Sequence, residues 1–133
     1  MRRIYSFTLI AVGLSAGLLA QSDSDYQSWM KTVSATNGSL QKNIAAKDQA
    51  AASADAAKLA DTFKQVASYW EAHSAPDAVG FAKSAQGGFE LVGKDAAAGD
   101  FDKAAADAKS IGRNCGGCHM AHREKTDAGF KIK

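Results

Sequence analysis

The sequence predicts an all-α protein that folds as an antiparallel four-helix bundle. Alanine is abundant, Pro76 is the only proline, and no run of β-branched residues is long enough to suggest a sheet. Four segments carry apolar stripes with alternating three- and four-residue steps, a spacing that turns one face of a helix towards a shared core. Short links between the segments favour an antiparallel arrangement, because sequential helices then become neighbours.

The start of the chain, residues 1–20, is typical of a secretory signal peptide. Two arginines supply a positively charged start, an apolar stretch follows, and Ala16 and Ala20 are small residues near a cleavage site. The apolar stretch is shorter than the roughly 20 residues needed to cross a bilayer. We therefore expect cleavage after Ala20, export to the periplasm, and one mature domain over residues 21–133. Retention of the segment as an N-terminal anchor is the alternative.

The first two helices follow this segment. Asp23 and Ser24 precede the first helix and are candidates to cap it. Its stripe consists of Tyr26, Met30, Val33, Asn37, Leu40 and Ile44. The stripe of the second helix consists of Ala52, Ala56, Leu59, Phe63, Val66 and Trp70. A corner between His73 and Pro76 ends the second helix, because proline can start a helix but cannot continue one.

The third helix ends near Gly93 or Gly99, since glycine favours helix termination. Its stripe consists of Ala78, Ala82, Ala85, Phe89 and Val92. Asp100 is a good cap for the fourth helix. The fourth stripe consists of Phe101, Ala104, Ala108, Ile111, Cys115 and Cys118. Both cysteines are therefore expected on the inner face of the last helix.

The charge balance excludes some classes of partner. The whole chain has 16 basic and 14 acidic residues, and removal of Arg2 and Arg3 with the signal peptide leaves 14 of each. A formally neutral chain argues against non-specific binding to nucleic acid or to a membrane surface. The C-terminal tail has the one local basic bias, with Arg113, Arg123, Lys125, Lys131 and Lys133 against Glu124 and Asp127. We expect a solvated end there, with a docking patch as the alternative.

Cys115-Gly116-Gly117-Cys118-His119 is a C-x-x-C-H motif, the attachment signature of c-type haem. Two thiols about one turn apart can add to the two vinyl groups on one edge of the porphyrin, and the adjacent histidine can place its imidazole under the iron. The two glycines have no side chain that would hinder close approach of the macrocycle, although both lower helix propensity. The motif predicts one covalently attached haem c with His119 as the proximal iron ligand.

Three alternatives to haem stay open. A catalytic dithiol normally starts a helix in a βαβ setting, which this pattern lacks. A structural zinc site needs about four ligands, and beyond the motif only His122 is close in sequence. A disulfide between Cys115 and Cys118, in a haem-free interaction module, closes a loop too short for much entropic gain and leaves His119 unexplained. The motif favours haem over all three.

An exported four-helix chain with its only C-x-x-C-H motif near the C-terminus resembles the class II cytochromes c, the cytochrome c-prime and cytochrome c-556 family, over essentially the whole mature chain. The resemblance implies a haem inside the bundle, bound from the last helix, with a residue of the first helix facing the other side of the iron. Residues 26–31 resemble the segment that carries this residue, and Met30 fills its position. Met120 is adjacent to His119 and cannot easily reach the opposite face. Met30 is therefore the expected distal ligand, with a core methionine as the alternative.

This ligand pair indicates an electron carrier rather than an enzyme. A thioether ligand stabilises ferrous iron, and iron with both axial positions filled needs little rearrangement for each electron. The expected partners are periplasmic or membrane redox proteins and not nucleic acid. The alternative is a five-coordinate protein, similar to cytochrome c-prime, that binds nitric oxide or carbon monoxide on an open face. The sequence leaves open whether the protein is a monomer or a homodimer.

Further residues are assigned by the resemblance or by position. Arg123 matches a basic residue that the family places near the proximal imidazole, and a solvated arginine on the last helical turn is the alternative. Tyr26 and His122 depart from the family, which often has an arginine near a haem propionate and an aromatic residue at these positions. We expect His73 in a surface turn and His122 at the rim of the site. The residues assigned either to the core or to haem packing are Trp29, Trp70 and Phe89.

Overall fold

Four helices and a C-terminal hairpin make up the fold. The computed structural model describes residues 21–133, so the predicted signal peptide and its cleavage after Ala20 lie outside the described residues. The elements are α1 (Asp23–Ala45), α2 (Gln49–Ala72), α3 (Pro76–Ala97), α4 (Phe101–His122), β1 (Arg123–Thr126) and β2 (Gly129–Ile132). The predicted all-α four-helix bundle is confirmed, and the hairpin is an addition to it.

Three-residue turns connect the helices and repeat one backbone pattern. The central residue of each turn adopts a left-handed conformation, with φ of 56° at Lys47, 54° at Ser74 and 76° at Gly99. The residue before it donates its backbone N–H to the end of the preceding helix, and the residue after it is the N-cap of the next helix. Such short connections place consecutive helices side by side and antiparallel.

Ser22, rather than Asp23 or Ser24, caps α1. Its hydroxyl accepts a hydrogen bond from the backbone N–H of Asp25 at 3.1 Å, and the Asp25 carboxylate accepts one from the backbone N–H of Ser22 at 3.0 Å. This reciprocal capping box satisfies two backbone donors at once, which neither predicted cap could do from inside the helix. The predicted cap of α4 is confirmed, because Asp100 accepts from the backbone N–H of Lys103.

The core follows the predicted stripes, and alanine keeps the helices close together. The large side chains that are most completely buried are Tyr69, Leu40, Leu59, Val66 and Val92. Consecutive helices pack against each other along their length, whereas α1 and α4 make few contacts. The bundle is therefore open on the side where its first and last helices face each other.

Aromatic side chains fill one end of the bundle. The Tyr26 ring lies 4.8 Å from that of Tyr69 and 5.4 Å from that of Trp70. The indole N–H of Trp70 donates to the Tyr26 hydroxyl at 3.4 Å, and the Tyr69 hydroxyl donates to Asp23 Oδ1 at 2.5 Å. Trp70 is thus a core residue, one of the two roles that the sequence left open for it.

The tail after α4 folds as an antiparallel hairpin, which the sequence did not predict, and its charged side chains are exposed, as expected for a solvated end. Arg123 pairs with Ile132 across the two strands, and the turn uses Gly129 with a φ of 126°, a region that favours glycine. Ile132 packs against the core, and the backbone N–H of Lys133 donates to the carbonyl of His122. These contacts hold the tail against the bundle.

Substitution of two adjacent glycines in α3 can test how closely α3 packs against α4. A Cβ atom at Gly88 would lie 2.7 Å from Cγ1 of the buried Ile111, whereas one at Gly87 would meet nothing within 4 Å. We expect Gly88→Ala to lower the free energy of unfolding by about 1–2 kcal/mol, because Ile111 must shift. Gly87→Ala should raise it by up to ~1 kcal/mol through helix propensity. Urea denaturation of both variants measures this difference, and equal effects would contradict the contact.

Candidate functional site

A cleft with a volume of about 650 Å³ lies between α1 and α4, on the open side of the bundle. We call it the α1–α4 cleft. Its walls include Tyr26, Met30 and Val33 from α1, Ile111, Cys115, Cys118 and His119 from α4, and Phe130 and Ile132 from the hairpin. The volume falls within the ~300–1,000 Å³ typical of pockets for small molecules and cofactors.

The C-x-x-C-H motif lies near the C-terminal end of α4 and within its regular helix. Cys115 and Cys118 are three residues apart and therefore share one side of the helix. Both are half-buried, both line the α1–α4 cleft, and no disulfide joins them. Their place on the inner side of α4 follows from the apolar stripe that they continue.

The environment of the two thiols disfavours a catalytic dithiol. Burial raises the pKa of Cys118 to about 11, with the charges of Asp77 and Cys115 acting in the same direction. Burial also raises the pKa of Cys115. Reactive thiols have a lowered pKa, which a helix N-terminus or neighbouring positive charge provides. Cys115 and Cys118 instead lie near the C-terminus of α4, which is the opposite end of a helix.

His119 lines the α1–α4 cleft directly after the second thiol. Burial of the ring lowers the pKa of His119, and the positive charge of Arg123 lowers it further. A lowered pKa keeps the imidazole neutral near pH 7, which is the form of histidine that binds metals. The ring is therefore in the protonation state that an iron ligand requires.

Met30 lines the same cleft from α1, across from the motif. Its side chain is half-buried and packs against the core. Met120, by contrast, is 78% exposed. Among residues 21–133, Met30 is thus the methionine that shares a cleft with His119.

Arg123 is the exposed C-cap of α4 and the first residue of β1, so it is solvated, as the alternative expected, although it lies one residue beyond the last helical turn. Its Cζ atom lies 4.1 Å from the centroid of the Phe130 ring, which is a cation–π distance. Arg123 lines the α1–α4 cleft, and its charge acts on His119. The hairpin, rather than the helix, positions this cation.

The two other histidines lie near the aromatic end of the bundle. His122 borders the cleft, lies 4.7 Å from the Trp70 ring and hydrogen-bonds through Nε2 to Asp77 Oδ2 at 2.8 Å. His73 is the exposed C-cap of α2, stacks on Tyr69 at 4.0 Å between ring centroids, and is not among the lining residues of the cleft. The surface turn predicted for His73 is confirmed, and His122 lies at the rim.

The contact between His122 and Asp77 predicts a dependence of stability on acid pH. The hydrogen bond from His122 holds the pKa of Asp77 below its ordinary value of 3.8. As the pH falls, the unfolded chain takes up this proton before the folded one, so the stabilisation is present above about pH 4 and is lost at lower pH. We expect Asp77→Asn to be less stable than the unmodified protein at about pH 6 and equally stable near pH 2.

Urea unfolding at both pH values measures the effect of Asp77→Asn. Asp102→Asn is a matched control, since Asp102 is an exposed aspartate in the first turn of α4, as Asp77 is in the first turn of α3. A destabilisation by Asp77→Asn that persists unchanged at the lower pH would contradict the prediction.

Gly117 has a structural role that the sequence analysis missed. A Cβ atom at Gly117 would lie 2.7 Å from Cε1 of Phe81 in α3, whereas one at Gly116 would meet nothing within 4 Å. Gly117 thus permits a close approach of α4 to Phe81. The Phe81 ring also lines a small cavity of about 40 Å³ that shares Met30 and His119 with the cleft.

The lining of the α1–α4 cleft fits a covalently attached haem. Two half-buried thiols stand on one side of α4 beside a histidine with a lowered pKa, and Val33, Phe89 and Ile111 supply apolar surface. Phe89 belongs to both the core and the cleft wall, while Trp29 packs against the core. Within residues 21–133, no three His, Cys, Asp or Glu side chains cluster closely enough to hold a metal ion.

Among residues 21–133, no helix combines the length and apolar character needed to span a membrane. Comparisons with protein-family models, with curated proteins and with solved structures found no match to this chain. The case for a function therefore depends on the residues that line the α1–α4 cleft.

Proposed function

We propose that this protein is an exported monohaem c-type cytochrome that transfers single electrons through a low-spin haem with His119 and Met30 as axial ligands. The observation that carries the proposal is the meeting of four residues at one cleft: Cys115, Cys118 and His119 from α4, and Met30 from α1. Export to the periplasm is proposed from the N-terminal sequence, and redox proteins of the periplasm or membrane are the proposed partners.

The motif would attach and orient the cofactor. Cys115 and Cys118 would each form a thioether by adding a thiol to a vinyl group, with the thiol proton passing to the vinyl carbon. Because both cysteines and His119 belong to one regular helix, the backbone of α4 fixes the imidazole relative to the two sulfur atoms. When bound, haem supplies an iron centre that takes up and releases one electron.

The two residues that would hold the iron come from different walls of a packed bundle. His119 belongs to α4 and Met30 to α1, so each would be positioned by a separate helix. Apolar side chains such as Val33 and Ile111 limit water around the centre, which lowers the reorganisation that accompanies electron transfer.

Export from cells that are able to attach haem, followed by mass and absorption measurements, tests the proposal. We expect a mass increase of one haem, narrow low-spin bands, and a thioether-to-iron charge-transfer band in the oxidised protein. A broad high-spin spectrum with stoichiometric carbon monoxide binding to the reduced protein would favour the five-coordinate alternative. A haem-free chain with a disulfide between Cys115 and Cys118 would overturn the proposal.

A further inference from the structure

The charged residues that line the α1–α4 cleft are all basic. They are Lys31, Arg123 and Lys131, and no aspartate or glutamate accompanies them among the described residues. Residues 21–133 contain basic and acidic residues in equal number, so an average stretch of this surface would present both signs. The cleft therefore combines apolar walls with an excess of positive charge, which favours ligands that carry an anionic group.

Two of these cations are available from different walls. Lys31 follows Met30 on α1, and Arg123 begins β1 after the end of α4. Among residues 21–133, neither has a carboxylate within ion-pair distance. Lys131 differs, because its ammonium group binds the Glu124 carboxylate at 3.3 Å. Lys31 and Arg123 are thus the pair that can receive an anion at the cleft.

The hairpin fixes the position of Arg123. Its guanidinium lies over the Phe130 ring, which itself lines the cleft, and the hairpin is anchored to the bundle through Ile132. A guanidinium that stacks on an aromatic ring keeps its N–H groups along the edge of its plane, where they can donate two parallel hydrogen bonds to a carboxylate. Arg123 is therefore suited to a carboxylate rather than to a neutral polar group.

We propose that Lys31 and Arg123 hold the carboxylates of a ligand whose apolar body fills the α1–α4 cleft. This inference rests on the proposed function, in which those carboxylates are the two propionates of the attached haem. Tyr26 lies where the family that this chain resembles often has an arginine near a haem propionate. Tyr26 supplies no positive charge there, because its hydroxyl is neutral and accepts a hydrogen bond from Trp70. The cationic pair instead comes from the middle of the wall on α1 and from the hairpin.

The test compares the double variant Lys31→Gln/Arg123→Gln with the control Arg113→Gln/Lys125→Gln, both as haem-loaded full-length proteins. Arg113 and Lys125 are exposed and absent from the cleft lining. Nuclear magnetic resonance of the propionate methylene groups across pH measures the propionate pKa. A cation within about 4–6 Å lowers a carboxyl pKa by roughly 1–3 units, so we expect a rise of about one unit or more in the double variant and none in the control. An unchanged propionate pKa in the double variant would overturn the inference.

Carboxylate binding by Lys31 and Arg123 can be tested even if the proposed function is wrong. If the exported chain carries no haem, its mass shows this directly, and dodecanoate and dodecyltrimethylammonium serve as probes of opposite charge. Weaker dodecanoate binding by the double variant than by the control, with equal binding of the cationic probe, would support carboxylate capture by Lys31 and Arg123. Equal dodecanoate binding by both variants would overturn it.

Discussion

Replacing Met30 with alanine is expected to convert the absorption spectrum of the attached haem from low-spin to high-spin. Met30 is the methionine that lines the α1–α4 cleft with His119, and its loss would remove the thioether from one axial position of the iron. The charge-transfer band of the thioether should disappear, and the reduced protein should gain stoichiometric affinity for carbon monoxide. Optical titration of the oxidised and reduced forms measures both changes.

Met120→Ala is the matched control for this experiment. It removes the same side chain from α4 at a position that is 78% exposed, so the spectrum should not change. Circular dichroism verifies that both variants stay helical, since Met30 also packs against the core. An unchanged low-spin spectrum in Met30→Ala would rule out this residue as the ligand.

Replacing both cysteines with alanine is expected to abolish covalent haem attachment. Cys115 and Cys118 are the only two cysteines of the chain, so no other thiol could form a thioether. We expect the exported double variant to have the mass of the bare chain, with haem lost on denaturation and solvent extraction. Its thermal midpoint should also fall, because a cofactor that binds only the folded state stabilises that state.

Ser110→Ala provides a control in the same helix, because Ser110 is exposed and is not among the lining residues of the cleft. It should keep one covalent haem and a thermal midpoint close to that of the unmodified protein. Haem that survives denaturation and extraction in the double cysteine variant would contradict thioether attachment at Cys115 and Cys118.

The bundle could be predicted from the sequence because the local spacing of apolar residues shows which face of each helix packs inward. The apolar stripes gave the inner face of every helix, and Pro76 gave the start of α3. The same stripes put Cys115 and Met30 on inward faces, although spacing alone could not show that α1 and α4 part to form a cleft between them. That arrangement depends on contacts between the two ends of the chain.

The hairpin was missed because its signals are short and weak. Most of its side chains are exposed, so the tail lacks the long apolar alternation that indicates a buried strand. Gly129 before the alternating residues Phe130, Lys131 and Ile132 was the signal that could have predicted a turn and a strand. As a result, the position of Arg123 over the Phe130 ring could not be predicted from the sequence.

The role of Gly117 in the packing of α4 against α3 could not be predicted from the sequence either. A glycine in a helix permits a close neighbour, but the sequence shows neither whether one is present nor which residue it is. Here the neighbour is the Phe81 ring, thirty-six positions earlier in the chain, and only the packing of α3 on α4 brings the two together. The identity of a close neighbour is tertiary information.

The few contacts between α1 and α4 bear on the order in which the chain folds. Contacts between consecutive helices close short loops and form quickly, whereas the seam between α1 and α4 joins distant parts of the chain and carries a larger entropic cost. We therefore expect the seam between α1 and α4 to form after the three consecutive pairs, and α1, which packs least extensively on its neighbours, to be the most weakly held helix. Before haem is attached, α1 should show the fastest amide hydrogen exchange of the four helices. Docking of α1 and attachment of haem would then be coupled, because α1 carries the proposed ligand Met30.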